Sequence, residues 1–458
     1  MNAYKKIISQ TATVLCPTGK CAAHDLETDI AELIQLESDL AKALMPLEDR
    51  RDPEKTYNKL TLTELAKRTK FDWLKKYLLP LWTALGVEHT AAIDGSTTVL
   101  ASDLGYLEKA VAILERTSAR VVDNYLGWLV VDEYSDLSAE LFRDLTFDFV
   151  KVSQGVTKQA TRDRACLAAT NGALNWALAR LFVDHHFSVK EKQEAGAIID
   201  EVQAAFIQLI QKNSWLDEQT RAASISKLKH VRKNVAYPAW LLDNRQLDEY
   251  HGLTSDPTQV KTLLADPNYV QSYRRFAVLS AKSTLEELHK PINVDKNWPM
   301  SPYIVNAAYE PEQNSISKFS LNKKFFGSLN FFFTIFTAIP AGQLKSPFYN
   351  SDFPFAVNYG DIGATVGHEF THGLDDEGRQ FDETGNLRPW WSDEAIEKFT
   401  NRTDCFVDQY SDQLDKTTKL HVRPFLLCLT KKTNKLLLLL LLLHNLAQRP
   451  EHLGRKPR

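Results

Sequence analysis

His368-Glu369-Phe370-Thr371-His372 sets two imidazoles four residues apart, with a carboxylate directly after the first. Residues i and i+4 share one face of an α-helix, so both rings can reach a single cation. Glu369 can then point toward the open coordination position, where an attacking water would sit. This works only if the segment is helical, and its neighbours predict that it is. Ile362, Val366 and Phe370 recur at helical spacing, and Asp361 is placed to cap the start. The bland alternative is a buried helix with two ordinary histidines. The spacing instead predicts Zn2+ held by His368 and His372, with hydrolytic chemistry beside it.

The rest of the composition narrows the setting. A chain of 458 residues, 44% apolar and 25% charged, can build two or more domains with substantial cores. Its formal charge of −3 argues against a nucleic-acid binder. The basic pairs Arg50-Arg51, Lys67-Arg68 and Lys75-Lys76 alternate with acids and apolar residues, as solvated helix faces do. Five cysteines (Cys16, Cys21, Cys166, Cys405 and Cys428) form no CxxC pair and are too sparse for a disulfide scaffold. Ser9, Gln10, Thr11 and Thr13 interrupt any secretory apolar core near the start. The leucine run Leu436–Leu443 is too short to span a membrane and follows Lys431, Lys432 and Lys435.

Residues up to about 235 read as helices. Leu26, Ile30, Leu33, Ile34, Leu40 and Leu44 mark one apolar face. Ser188 with Glu191 three residues later is a capping box, opening a helix that buries Ile198, Ile199, Val202, Phe206 and Leu209. A further helical stretch covers about 257–289, and Pro291, Pro299 and Pro302 mark a connector. Tyr303–Tyr309 then predicts an extended edge strand stopped by Pro311. After the metal motif, a loop with Gly378, Gly385 and Pro389 leads to Trp390-Trp391 and a helix from Asp393 to about Asp415.

Longer matches carry a family resemblance. They are the run from Val366 to Asp382, Gly385-Asn386-Leu387, Trp390-Trp391, Val305–Pro311 with Asn314 and Ile316, Pro340–Gly342 and Pro347–Tyr349. In the helical half, Arg50–Pro53, Tyr57-Asn58, Asn124–Leu126 and Asn171-Gly172 agree as well. From about residue 4 to 421 the chain resembles the neprilysin family, which includes endothelin-converting enzymes. The resemblance implies a mainly α fold, with a large helical domain beside a thermolysin-like α+β zinc-peptidase domain incomplete at its C-terminus. The expected division is 1–242 helical, 243–301 connector, 302–422 partial catalytic domain and 423–458 a tail outside the family pattern.

It also implies roles. His368 and His372 correspond to zinc ligands, and Glu369 to the general base acting on a zinc-bound water in peptide-bond hydrolysis. Asn306 and Ala307 correspond to an element that pairs with the backbone of peptide substrates. Two departures follow. Between Ile316 and Pro340 the chain holds 23 residues where the family has about two. The excess, 318–338, is rich in Phe and Lys and reads as translated non-coding sequence or an apolar loop. The family's third zinc ligand, a Glu in a Glu-Asn-x-x-Asp segment, has no counterpart, since no Glu stands between Glu397 and Glu451. Nothing in the spacing of His421, His444 or Glu451 replaces it. Cys166 and Cys405 would lack the partners the family gives them. The resemblance thus implies a metalloendopeptidase impaired in this form, or a non-catalytic helical module that binds peptides or partners. The parent would be extracellular or at the cell surface, and the Asn401-Arg402-Thr403 sequon is compatible with that.

Overall fold

The computed structural model describes residues 2–414 apart from 17–22, 47–48, 88–92, most of 254–267, 287–297, 299, 312–314 and 317–338. The expected insertion 318–338 and the tail 423–458 therefore lie outside the described residues. The longer helices are α1 (Asn2–Leu15), α2 (Ala23–Ala43), α3 (Leu104–Arg116), α4 (Ala119–Ser138), α5 (Glu140–Gln154) and α6 (Arg162–His186). They are followed by α7 (Val189–Lys212), α8 (Glu218–Lys229), α9 (Tyr269–Glu286), α10 (Ile362–His372) and α11 (Asp393–Ser411). No helix among the described residues is long and apolar enough to cross a membrane.

Two cores organise these helices. In the first, Ile30, Leu33, Leu36 and Leu40 of α2 meet Ile7 and Ile8 of α1, Ile113 of α3, and Tyr125 and Trp128 of α4. The apolar spacing read from the sequence is the face that α2 buries. In the second, α7 packs against both α10 and α8, so Phe206, Ile199 and Leu228 share one core with Ile362, Val366 and Phe370. The Ser188 capping box is present: its Oγ accepts from Glu191 N at 3.2 Å, and Glu191 Oε2 accepts from Ser188 N at 2.7 Å. One expectation slips by a residue, because Ile210 is buried where Leu209 was expected and Leu209 is only half-buried. The predicted helix over 257–289 is described only as α9, and α11 ends at Ser411 rather than Asp415.

Strands are few and short. β1 (Asn58–Thr61) and β2 (Thr98–Ala101) pair antiparallel. β3 (Arg232–Lys233) pairs parallel with β5 (Ser315–Ile316), and β4 (Val235–Ala236) with β6 (Ile339–Pro340). The registers matter. Lys233 faces Ile316 and Val235 faces Ile339, so only Asn234 stands opposite the gap between β5 and β6. Ile316 and Ile339 thus stand on one strand line, facing Lys233 and Val235 two positions apart.

The edge strand expected at Tyr303–Tyr309 is not formed among the described residues. Ile304 N instead donates to Ser301 O at 3.0 Å, closing a turn. The segment is fixed at both ends by close packing. Gly342 N donates to Pro302 O at 2.7 Å, and a Cβ on Gly342 would fall 2.5 Å from Tyr303 O. At the far end the fully buried Tyr309 ring lies against Gly373, just past α10. Packing holds this backbone in place of a β-ladder.

Candidate metal centre

Helix α10 is positioned by what it buries. Ile362, Val366 and Phe370 are at most 1% exposed, and Phe370 stacks on Phe206 of α7 with ring centroids 6.4 Å apart. The chain entering α10 is tied to α7 as well: Lys345 Nζ donates to Glu191 at 2.6 Å, Tyr349 Oη to Glu194 at 3.1 Å, and Tyr359 Oη to Glu201. Asp361 stands at the helix start, but its side chain makes no capping bond. Its φ of −107° and ψ of −80° lie away from the extended backbone that lets a cap reach forward.

With the apolar face committed to the core, the motif's other face is turned to one point. His368 Nε2 and His372 Nε2 lie 3.2 Å apart, and Glu369 Oε1 is 3.9 Å from His368 Nε2. The three side chains offer ligand atoms all within 4.8 Å of one another. Glu369 and His372 are buried, whereas the His368 side chain keeps 35% exposure, so the centre opens on that side.

The tautomer of His372 follows from its other nitrogen. Nδ1 lies 2.9 Å from Asp375 Oδ2, and a carboxylate can only accept, so Nδ1 carries the proton. Nε2 then presents a lone pair toward His368 Nε2. Donors on a tetrahedral zinc, at Zn–N distances of about 2.0–2.1 Å, are about 3.3–3.4 Å apart. The observed 3.2 Å fits two nitrogens of one such shell.

Asp375 is itself clamped. Its Oδ1 accepts from Glu377 N at 3.0 Å and Gly378 N at 2.8 Å. Gly378 leaves no room for a side chain, since a Cβ there would sit 1.9 Å from His372 O. Below this turn lies Lys227 of α8, 1% exposed, with Nζ donating to Gly378 O and Phe381 O at 2.5 Å each. Burial lowers its ammonium to about 7, against the opposing pull of Asp375, Asp382 and Glu383.

The structure therefore brings together His368, Glu369 and His372. Among the described residues no hydrogen bond joins Asn306 or Ala307 to the three. Asn306 is exposed, and its Oδ1 accepts from Ala307 N at 2.9 Å. The sequence alone assigns no role to Asp375 or Lys227. His372-x-x-Asp375 spacing signals the first, since i and i+3 meet on a helix end. For Lys227 the signal is a cation on the face otherwise made by Thr220, Ser224 and Leu228, all buried. Cys166 and Cys405 are exposed free thiols.

A mainly helical shell around a His-Glu-x-x-His helix, with its second histidine backed by a carboxylate, defines the metallopeptidase class. Residues 1–238 and 330–426 match the N-terminal and catalytic patterns of Peptidase family M13. The chain belongs to that family. It is 32% identical over 424 residues to Neprilysin-1 of Trittame loki, covering 92% of this chain and 54% of that protein. It is 32% identical over 389 residues to Endothelin-converting enzyme 1 of Homo sapiens, covering 84% and 46%. The chain thus spans about half the length of these relatives. Among solved structures, PEPO from Lactobacillus rhamnosis superposes with a TM-score of 0.78 at 18% identity, over 98% of this chain and 63% of that one. The Mycobacterium tuberculosis zinc metalloprotease ZMP1 in complex with inhibitor gives 0.74 at 24% identity, over 98% and 62%.

Proposed function

We propose that this chain is the zinc-holding part of a metalloendopeptidase that hydrolyses oligopeptides. The observation that carries the reading is the Nε2 pair at 3.2 Å, with Asp375 fixing the tautomer behind His372. His368 and His372 would hold the ion. Zinc, when bound, polarises a carbonyl and makes water acidic enough to be deprotonated near neutral pH. Glu369 is the general base: its buried carboxylate takes the proton from the attacking water and later passes it to the leaving amine. Val305 and Asn306 are exposed beyond the Tyr309 anchor, which supports peptide binding along Asn306 and Ala307. We place the parent protein outside the cell or at its surface, and the sequon residue Asn401 is exposed on α11.

A zinc peptidase centre takes three protein ligands, and only two histidines are assigned here. With no Glu between Glu397 and Glu451, this form holds zinc weakly and turns over slowly. That same observation favours the second reading, a non-catalytic module that binds peptides or partner proteins. The test uses two proteins: the 458-residue chain, and the chain extended with the C-terminal segment of Neprilysin-1 from Trittame loki. The extended protein should cleave oligopeptides in a chelator-sensitive way, and Glu369→Gln should slow it by about 10²–10⁴-fold with zinc retained. No cleavage by the extended protein, or an unchanged rate in Glu369→Gln, would sink the catalytic reading.

A further inference from the structure

Lys227 is a deeply buried cation, 1% exposed. Its place is defined by what it grips. Nζ bonds the carbonyls of Gly378 and Phe381, and it sits 5.7 Å from the Tyr309 ring centroid and 5.5 Å from that of Trp390. Gly378 turns its N–H to Asp375 Oδ1, and Asp375 Oδ2 meets His372 Nδ1. A continuous path of polar contacts thus runs from α8, in the helical half, through Gly378 and Asp375 of the loop, to the imidazole that closes the motif.

We propose that Lys227 is a positioning residue for His372, fixing the 375–381 turn so that Asp375 holds the imidazole with Nε2 bare. The chemistry of the side chain fits. Two carbonyls and two aromatic faces converge on one small volume, which suits a compact ammonium better than a planar guanidinium. Removing the ammonium leaves two buried carbonyls without this donor and frees Gly378, whose N–H is one of two clamping Asp375. The packing adds leverage. Gly378 packs closely on the end of α10, where a Cβ would lie 1.9 Å from His372 O, so the turn has little room to shift toward the histidine's backbone.

The zinc arm of the test rests on the proposed metal reading; a second arm does not. The full chain is compared as wild type, Lys227→Met, Lys227→Arg and Ile199→Val, the last a core change that lowers stability away from the turn. The first readout is the metal-free imidazole nitrogen spectrum of His372, assigned with His372→Gln. The second is Zn2+ affinity by competition with a chelator. We expect Lys227→Met to lose the Nδ1-protonated preference and to weaken Zn2+ binding by about 10–100-fold, the size typical of a partner that orients a metal ligand from behind. Lys227→Arg should recover part of both, and Ile199→Val should change neither. Wild-type tautomer and wild-type Zn2+ affinity in folded Lys227→Met would overturn the proposal. If the wild type binds no Zn2+, the metal reading fails and the imidazole spectrum alone decides for or against Lys227. Should Lys227→Met not fold, Lys227→Arg carries both readouts: a shifted tautomer supports the proposal, and wild-type values overturn it.

Discussion

Asp375→Asn replaces a carboxylate by an amide of nearly the same shape, so its effect reports charge and hydrogen bonding more than packing. In the native protein Oδ1 accepts from two backbone N–H groups while Oδ2 accepts from His372 Nδ1. An amide has one oxygen and one NH2 and cannot accept on both sides. If the oxygen faces Glu377 N and Gly378 N, the NH2 meets Nδ1 and drives the proton to Nε2, which removes the lone pair a metal needs. If the oxygen faces His372, the half-buried Glu377 N–H and the buried Gly378 N–H confront a donor. Leaving such groups unsatisfied costs about 1–3 kcal/mol. The expected result is therefore a loss of about 1–3 kcal/mol in stability and a Zn2+ affinity about 10–100-fold weaker. Urea unfolding of the metal-free protein and chelator competition measure the two separately. Stability and Zn2+ affinity both within twofold of wild type would refute the tautomer argument on which the centre is built.

Two other perturbations probe the frame around the centre. Deleting 318–338 puts Ser317 opposite Asn234 and joins β5 to β6 without changing either register, so the shortened chain should fold and gain about 2–3 kcal/mol from the loop closure avoided. Urea unfolding checks this, and a destabilised deletion protein would show that the inserted residues support the fold. His251 is an acid-sensitive group, since burial lowers its pKa from 6.5 to about 4. The unfolded chain takes up a proton as pH falls through about 6.5 while the folded chain stays neutral, so stability drains between pH 6.5 and 4, by about 3 kcal/mol in all. His251→Gln should flatten this dependence in urea unfolding at pH 7 and pH 4.5, and equal pH slopes for the two proteins would contradict it.

Periodic features were legible in the sequence because each is a local consequence of helix geometry. The Ile362, Val366 and Phe370 face, the α2 leucines and the Ser188–Glu191 box all came through. What failed depended on backbone geometry or distant packing. Asp361 has a capping residue's chemistry and the wrong dihedrals. Tyr303–Tyr309 has strand composition, but its backbone is held by Gly342 and by Gly373 against Tyr309, contacts that no strand period encodes. At the centre, three residues within five positions could be read directly, whereas Lys227 lies 151 residues from the carbonyl it holds. Its role follows only when α8 is seen beneath the turn.

The centre stands or falls on whether His368 and His372 bind one zinc ion together. Zinc-edge X-ray absorption on the full chain, loaded with one equivalent of Zn2+, counts the imidazole ligands directly. Two imidazole nitrogens, falling to one in either His368→Ala or His372→Ala, are the predicted result. Zinc bound with the same ligand count after either change, or no zinc bound at all, would contradict it.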